Sequence, residues 1–217
     1  MNDFANQDGR ALIDAMVQTI HENAAYLSQL DGAIGDGDHG INMNKGFTLT
    51  ATRLAGAKGN LSAGLSTLAE VLLGEIGGAM GPLYGTFFGE MAKVSNNHER
   101  IEAAVFSNML NAALEAVQEL GGAQVGDKTL VDTLHPAVAA FDQSLSKDPS
   151  FAKALEAASM AAEKGKEDAK ALVAKLGRAS RLGERSRGVL DAGSVSCWLL
   201  LKAMAESSQK LLKADQV

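Results

Sequence analysis

The sequence contains a single cysteine, Cys197, among 217 residues, so no intramolecular disulfide can form. That usage fits a reducing compartment. Three prolines and 5% aromatic residues leave no proline-rich linker and no low-complexity tract. No apolar run approaches the ~20 residues that a membrane span requires, so none is expected. The opening stretch MNDFANQDGR lacks both a basic n-region and an apolar h-region, so export is not expected and a cytoplasmic location is. Positive charge is not in excess either. A formal net charge of −6 argues against a general nucleic-acid binder, which needs a net basic face. No stretch alternates apolar and polar residues for long enough to mark a strand, so no strand is expected.

The rest of the composition is that of a globular protein, 46% hydrophobic and 21% charged. A chain of this length buries about 70% of its unfolded-state surface and needs no structural metal to fold. Glycine is the exception. Its 23 copies gather at 32–46, 74–89, 121–126 and 177–193, with helical patterns between them. Glycine concentrated in a few loops points to backbone at positive φ or to close approach of a ligand.

Helical periodicity runs through almost the whole chain. Ile13, Met16, Val17, Ile20, Ala24 and Leu27 form one apolar stripe behind an Asp8 cap. Residues 40–55, 64–78 and 82–95 predict three further helices. Residues 99–120 predict another, with the stripe Ile101, Val105, Met109, Ala113, Val117 and Leu120 and a C-cap at Gly121-Gly122. Segments 128–145, 150–175 and 193–213 complete eight. Alanine and glycine faces allow close helix approach, so the expected fold is all-α: one domain over 1–217, an antiparallel up-down bundle. Short connections then place the loops after helices one, three, five and seven at the same end. Those loops are the four glycine clusters, so the special backbone is expected at one mouth.

The first cluster carries Asp31, Asp36 and Asp38 among glycines, leading into a helix. Three such carboxylates repel one another unless a cation sits among them; the alternative is a solvated acidic turn. The EF-hand pattern fails, because Ile41 and Phe47 stand where it requires glycine and glutamate. An aspartyl-phosphate phosphatase would need a buried strand before the acidic pair, and 13–30 is helical. Few carboxylates without a protein cage suit Mg²⁺, which keeps water and takes its remaining ligands from phosphates.

His39 and Asn42 open the next helix, whose first amides favour an anion. The second cluster, 77–85, ends one helix and begins another, with Pro82 in a first-turn position; its glycines serve phosphate binding or close packing. Residues 122–129 look like a Walker A loop, but Asp127 interrupts the Gly-Lys-Thr order and no strand precedes it, so that reading is discarded. Lys175, Arg178, Arg181, Arg185 and Arg187 cluster in a net acidic protein, as a solvated face or as a phosphate or partner surface. Carboxylates for a divalent ion, helix N-termini and arginines at one mouth together suggest a nucleotide polyphosphate site.

Four stretches carry a family resemblance over nearly the whole chain: GDGDHGINMNKGF (35–47), GGAMGPLYGTFF (77–88), GDKTLVDTLHP (126–136) and GRASRLGERSRG (177–188). In family order, they resemble the nucleotide-binding L subunit of dihydroxyacetone kinase. The resemblance implies an eight-helix antiparallel barrel that holds ADP or ATP at one end through two Mg²⁺ ions. By matched position it makes Asp31, Asp36 and Asp38 the metal ligands, with Asp36 bridging both ions. It places His39, Gly40, Ile41 and Asn42 on the phosphates and Ala79 and Met80 against the nucleotide. Gly121 and Leu130 fall near the base, and Arg178 with the turn Asp191-Ala192-Gly193 completes the site. The chain departs from the family at two positions. Met80 stands where a small hydroxyl residue is common, which withdraws support for one phosphate contact. Ala192 replaces a usual proline, which implies a looser turn.

The same resemblance implies partners. A separate K subunit holds the ketose covalently through a histidine, and the L subunit's ATP donates the γ-phosphoryl group. In one branch a phosphocarrier M subunit, fed from phosphoenolpyruvate, recharges the bound nucleotide; in the other, ATP exchanges freely. Related systems phosphorylate four-carbon ketoses, and self-association into a homodimer stays open. The competing class is a nucleotide-state-dependent regulatory module without turnover of its own.

Overall fold

The computed structural model of the chain describes residues 2–56 and 59–214. Among these described residues eight α-helices follow one another: α1 Arg10–Ile34, α2 His39–Leu54, α3 Leu61–Glu75, α4 Met80–Ser95, α5 Ala103–Gly121, α6 Val131–Lys147, α7 Phe151–Asp168 and α8 Ala192–Ala214. Each packs on the next, and α8 returns to pack on α1, so the helices close into a ring. The expected stripe of α1 is met by Ile13, Met16, Ile20 and Leu27, all buried, and that of α5 by Val105, Met109, Ala113 and Val117. The buried face of α7, which packs on α6 and α8, includes Ala154, Ala158 and Ala162, small side chains that allow close helix approach.

Four local expectations need correction. Asp8 does not cap α1; it lies in a 3-10 turn, Asn6–Gly9, and the helix begins behind Gly9 without a side-chain cap. Asp31 belongs to the last turn of α1 rather than to the loop. The helix expected over 150–175 stops at Asp168 and gives way to a 3-10 turn at Ala169–Ala171. A strand pair does exist: β1 Asp3–Ala5 runs antiparallel to β2 Arg100–Glu102, with Phe4 opposite Ile101. Three residues are too few for alternation to register as a pattern.

That ribbon joins the starts of α1 and α5 at the end of the ring away from the glycine-rich loops. Phe4 stacks on Phe151 with ring centroids 6.1 Å apart, and Phe151 also meets Phe106 and Phe141. Buried Asn6 ties the ribbon down: its amide donates to Ser62 Oγ (2.9 Å), Ser95 O (3.1 Å) and His98 O (2.7 Å). The closed end is therefore the mechanical base of the barrel. Truncating a fully buried aromatic such as Phe151 leaves a cavity that its neighbours cannot fill. Phe151→Ala should lower stability by about 3–5 kcal/mol in urea titration, with the m-value preserved.

Candidate functional site

At the opposite end, the loops after α1, α3, α5 and α7 surround a cavity of about 470 Å³. This is the common mouth expected from the topology. The positions expected to bind nucleotide or metal divide into those in its wall and those behind it. Asp31, Asp36, Asp38, His39 and Asn42 line it from the first loop, and Ala79 and Met80 from the second. Gly121 and Leu130 come from the third, and Arg178, Asp191, Ala192 and Gly193 from the fourth. Gly40 and Ile41 do not line it. Gly40 is wedged against α1, where a Cβ would lie 2.0 Å from Ala24 O, and the Ile41 side chain is 64% exposed. Both lie in the first turn of α2, whose amides lack intrahelical acceptors.

One carboxylate oxygen from each of Asp31, Asp36 and Asp38 lies within 4.8 Å of the others. Gly37 makes this possible: at φ 80° it turns the chain so that the flanking aspartates return to the end of α1. Burial and the negative charges of Asp36 and Asp31 raise the pKa of Asp38. At Asp36 partial burial pulls the same way, but the charge and hydrogen bond of Arg178 outweigh it and lower the pKa. Arg178, which pairs with Asp36, is thus the cluster's counter-charge among the described side chains. Three converging hard oxygens, short of positive charge, fit a divalent cation such as Mg²⁺.

His39 sits behind this cluster. Its Nε2 is 2.9 Å from Ser196 Oγ, which is in turn 2.7 Å from the Tyr84 hydroxyl. Burial pushes its pKa down to about 4, against the pull of Asp31, so the imidazole is neutral at pH 7. It offers hydrogen bonding and no charge. Met80 and Ala192 are both buried, at the starts of α4 and α8. With alanine in place of proline, the first turn of α8 is hydrogen-bonded: Asp191 caps it by accepting from Ser194 N at 2.7 Å, and Val195 N donates to Asp191 O at 3.0 Å. Ile34, Leu83, Val117, Leu120, Leu130 and Leu176 give the cavity an apolar wall suited to a planar base.

Several cavity residues escaped the sequence reading. Tyr84 lines the cavity and bonds Ser196 behind it; neither carries a local signal, since they meet only across the barrel. Lys128 lay inside the discarded Walker-like stretch, yet it lines the cavity and is 1% exposed. The basic cluster also divides unexpectedly. Lys175 pairs with Asp127, and Arg187 binds Glu184 and Ala171 O. Among the described residues, that leaves Arg181 and Arg185 as the members of this cluster without a side-chain hydrogen bond or ion pair.

The DAK2 domain model matches residues 33–206. The ADP-binding subunit DhaL of a PTS-dependent dihydroxyacetone kinase from Lactococcus lactis is 42% identical over 190 residues, covering 87% of this chain and 91% of that protein. The chain belongs to the L-subunit family of dihydroxyacetone kinases. This L subunit is also 37% identical, over 186 residues, to the ADP-binding subunit DhaL of a PEP-dependent dihydroxyacetone kinase from Escherichia coli. That alignment covers 85% of this chain and 89% of the relative. Its fold is shared with a solved structure, the dihydroxyacetone kinase of C. freundii in complex with AMP-PNP and Mg²⁺. There the TM-score is 0.68 at 27% identity, covering 90% of the L subunit and 33% of that longer chain.

The cap residue of α8 yields a pH prediction for the ligand-free L subunit. Burial raises the Asp191 pKa to about 6, against hydrogen bonds from Ser194 and the charge of Lys128, while Asp132 adds to the rise. A carboxyl raised above its unfolded value gives stability that is complete below about pH 4 and lost as pH rises through about 6. Asn keeps the capping oxygen and removes the charge. Asp191→Asn should therefore gain on the wild type between pH 4 and 7, by up to about 3 kcal/mol. Urea titrations across that range read the difference, and comparison at each pH cancels His39, whose lowered pKa acts in the opposite sense.

Proposed function

We propose that this L subunit is the nucleotide-carrying component of a multi-chain dihydroxyacetone kinase, a cytoplasmic phosphotransferase working as one nucleotide-binding domain. The observation that carries the reading is the triad Asp31, Asp36 and Asp38, with oxygens within 4.8 Å, on the wall of a cavity of about 470 Å³. The fit to ADP or ATP is electrostatic as well as spatial. Four carboxylates (Asp31, Asp36, Asp38 and Asp191) face the cavity with Arg178 and Lys128, so a bare polyphosphate is repelled. Mg²⁺, two ions in this reading, supplies the charge that lets carboxylates and phosphates share one space.

The chain's own residues then divide the work. Asp31, Asp36 and Asp38 would hold Mg²⁺, and Asp36 carries the charge on which both ions of this reading would depend. The first-turn amides at His39, Gly40 and Ile41, with the Asn42 side chain, receive phosphate oxygens at the start of α2. Neutral His39 adds a hydrogen bond without adding charge. Ala79, Met80, Gly121 and Leu130 enclose the nucleoside, while Arg178 and the turn 191–193 close the fourth side. Arg178, paired with Asp36 here, would be free to turn its guanidinium to phosphate if cations held the carboxylates, since a guanidinium suits either partner. The γ-phosphoryl group passes to dihydroxyacetone, or a related short ketose, held on a separate K subunit facing the mouth. The relatives named as PTS- or PEP-dependent favour the branch in which a phosphocarrier M subunit recharges the nucleotide.

With K subunit, MgATP and dihydroxyacetone, the chain should form the phosphorylated ketose. Asp36→Asn should reduce that rate by about 10²-fold or more while circular dichroism stays unchanged. Near-normal transfer by Asp36→Asn would remove the shared-ligand role. Failure of the wild type with every ketose and either phosphoryl source would favour a regulatory module instead.

A further inference from the structure

The segment between α7 and α8, residues 169–191, leaves the barrel and returns to it, carrying Arg178 on the way out and Asp191 on the way back. Within the loop, Arg187 donates to Ala171 O at 2.6 Å and Ser186 Oγ accepts from Ala174 N at 2.9 Å, and one side chain from another loop reaches both limbs at the neck. Lys128 Nζ donates to Ala169 O (2.8 Å) and Lys170 O (3.3 Å) on the outgoing limb and to Val189 O (2.7 Å) on the returning limb. Three donors meet three acceptors, which is what a buried ammonium needs to be tolerated away from water. Just beyond, Gly188 N bonds Lys170 O at 2.8 Å, so the limbs also touch each other directly.

The backbone of Lys128 is as unusual as its side chain. At φ 63° it is the non-glycine residue at positive φ among those described. A lysine held in the left-handed region is strained and persists only where its surroundings over-determine it. They do so here: the Asp132 carboxylate accepts from Gly126 N at 2.6 Å and Thr129 N at 2.8 Å, fixing the turn from both sides. Strain at the backbone, burial of the ammonium and a cavity wall coincide at one residue. Beyond the neck, a second tie joins Lys175 Nζ to Asp127 Oδ1 at 2.9 Å, again from the 122–130 loop. Arg178 follows three residues later.

We infer that Lys128 is a positioning residue, latching both limbs of the 169–191 loop so that Arg178 is presented to the carboxylate cluster. The latch itself is a property of the ligand-free chain. Its consequence for ADP rests on the nucleotide reading above. A purely structural role, satisfying the carbonyls of the 3-10 turn Ala169–Ala171 that follows α7, would lower stability without any link to Arg178.

Two measurements on the full chain separate these. In ligand-free hydrogen exchange, Lys128→Met should speed exchange of amides within 172–189 and leave those of α3 and α4 unchanged; unchanged exchange in 172–189 overturns the latch. In calorimetry with Mg²⁺ and ADP, Lys128→Met should weaken binding by roughly 10–100-fold. The same substitution in an Arg178→Ala background should add little, because the group it presents is gone. A loss undiminished in that background, or no loss at Arg178→Ala alone, overturns the positioning role. Phe151→Ala controls for stability, losing melting temperature but not ADP affinity. If Lys128→Met does not fold, Lys128→Gln keeps an amide donor and takes its place with the same expected directions; if neither folds, the role is structural and the inference fails. Absence of ADP binding by the wild type would defeat the nucleotide reading instead and leave hydrogen exchange to decide the latch.

Discussion

Three carboxylates whose oxygens fall within 4.8 Å of one another cannot all carry charge without a counter-charge nearby. The rest of the mouth is organised around that constraint. Arg178 pairs with Asp36, and the pKa of Asp38 is raised by burial and by its two acidic neighbours. Behind the triad, His39 is kept neutral by burial while its main-chain N–H reaches Asp31 Oδ2 at 3.3 Å. Each of these features reduces repulsion or redirects it, and each leaves room for a divalent cation to do the same more completely.

The barrel makes the arrangement rigid. Because α8 packs back on α1, the four connections at one end form the walls of a single cavity. At the other end the β1–β2 ribbon and the packed rings of Phe4, Phe106, Phe141 and Phe151 close the core. The mouth is therefore the end at which loops are free to specialise. Two of them lean on each other through the Lys128 and Lys175 ties, so the basic loop is attached to the site rather than hanging beside it.

Much of this was legible in the sequence because the signals were local. Stripes at helical spacing marked all eight helices, and glycine clusters alternating with them marked one mouth by topology alone. Asp31, Asp36 and Asp38 stood out because like charges at such short spacing need an explanation. What escaped depends on chain segments far apart in sequence. The three-residue strands exist only as a pair, Asp3–Ala5 with Arg100–Glu102. Tyr84 and Ser196 are 112 residues apart and meet at 2.7 Å. Lys128 looked like a failed phosphate-binding lysine, since its acceptors, backbone carbonyls 41 to 61 residues on, leave no trace in side-chain identity. Arg187, counted with the free cations, is held inside its own loop by Glu184 and Ala171.

If carboxylate repulsion governs the mouth, metal and nucleotide must bind as one ligand. Calorimetric titration of ADP into the chain, with Mg²⁺ and then with a chelator in its place, reads that dependence directly. Removing Mg²⁺ should weaken ADP binding by roughly 10–100-fold, with the same coupling seen when ADP is fixed and Mg²⁺ is titrated. Equal ADP affinity with and without the metal would contradict it, because a polyphosphate would then be sharing the cavity with Asp31, Asp36 and Asp38 unaided.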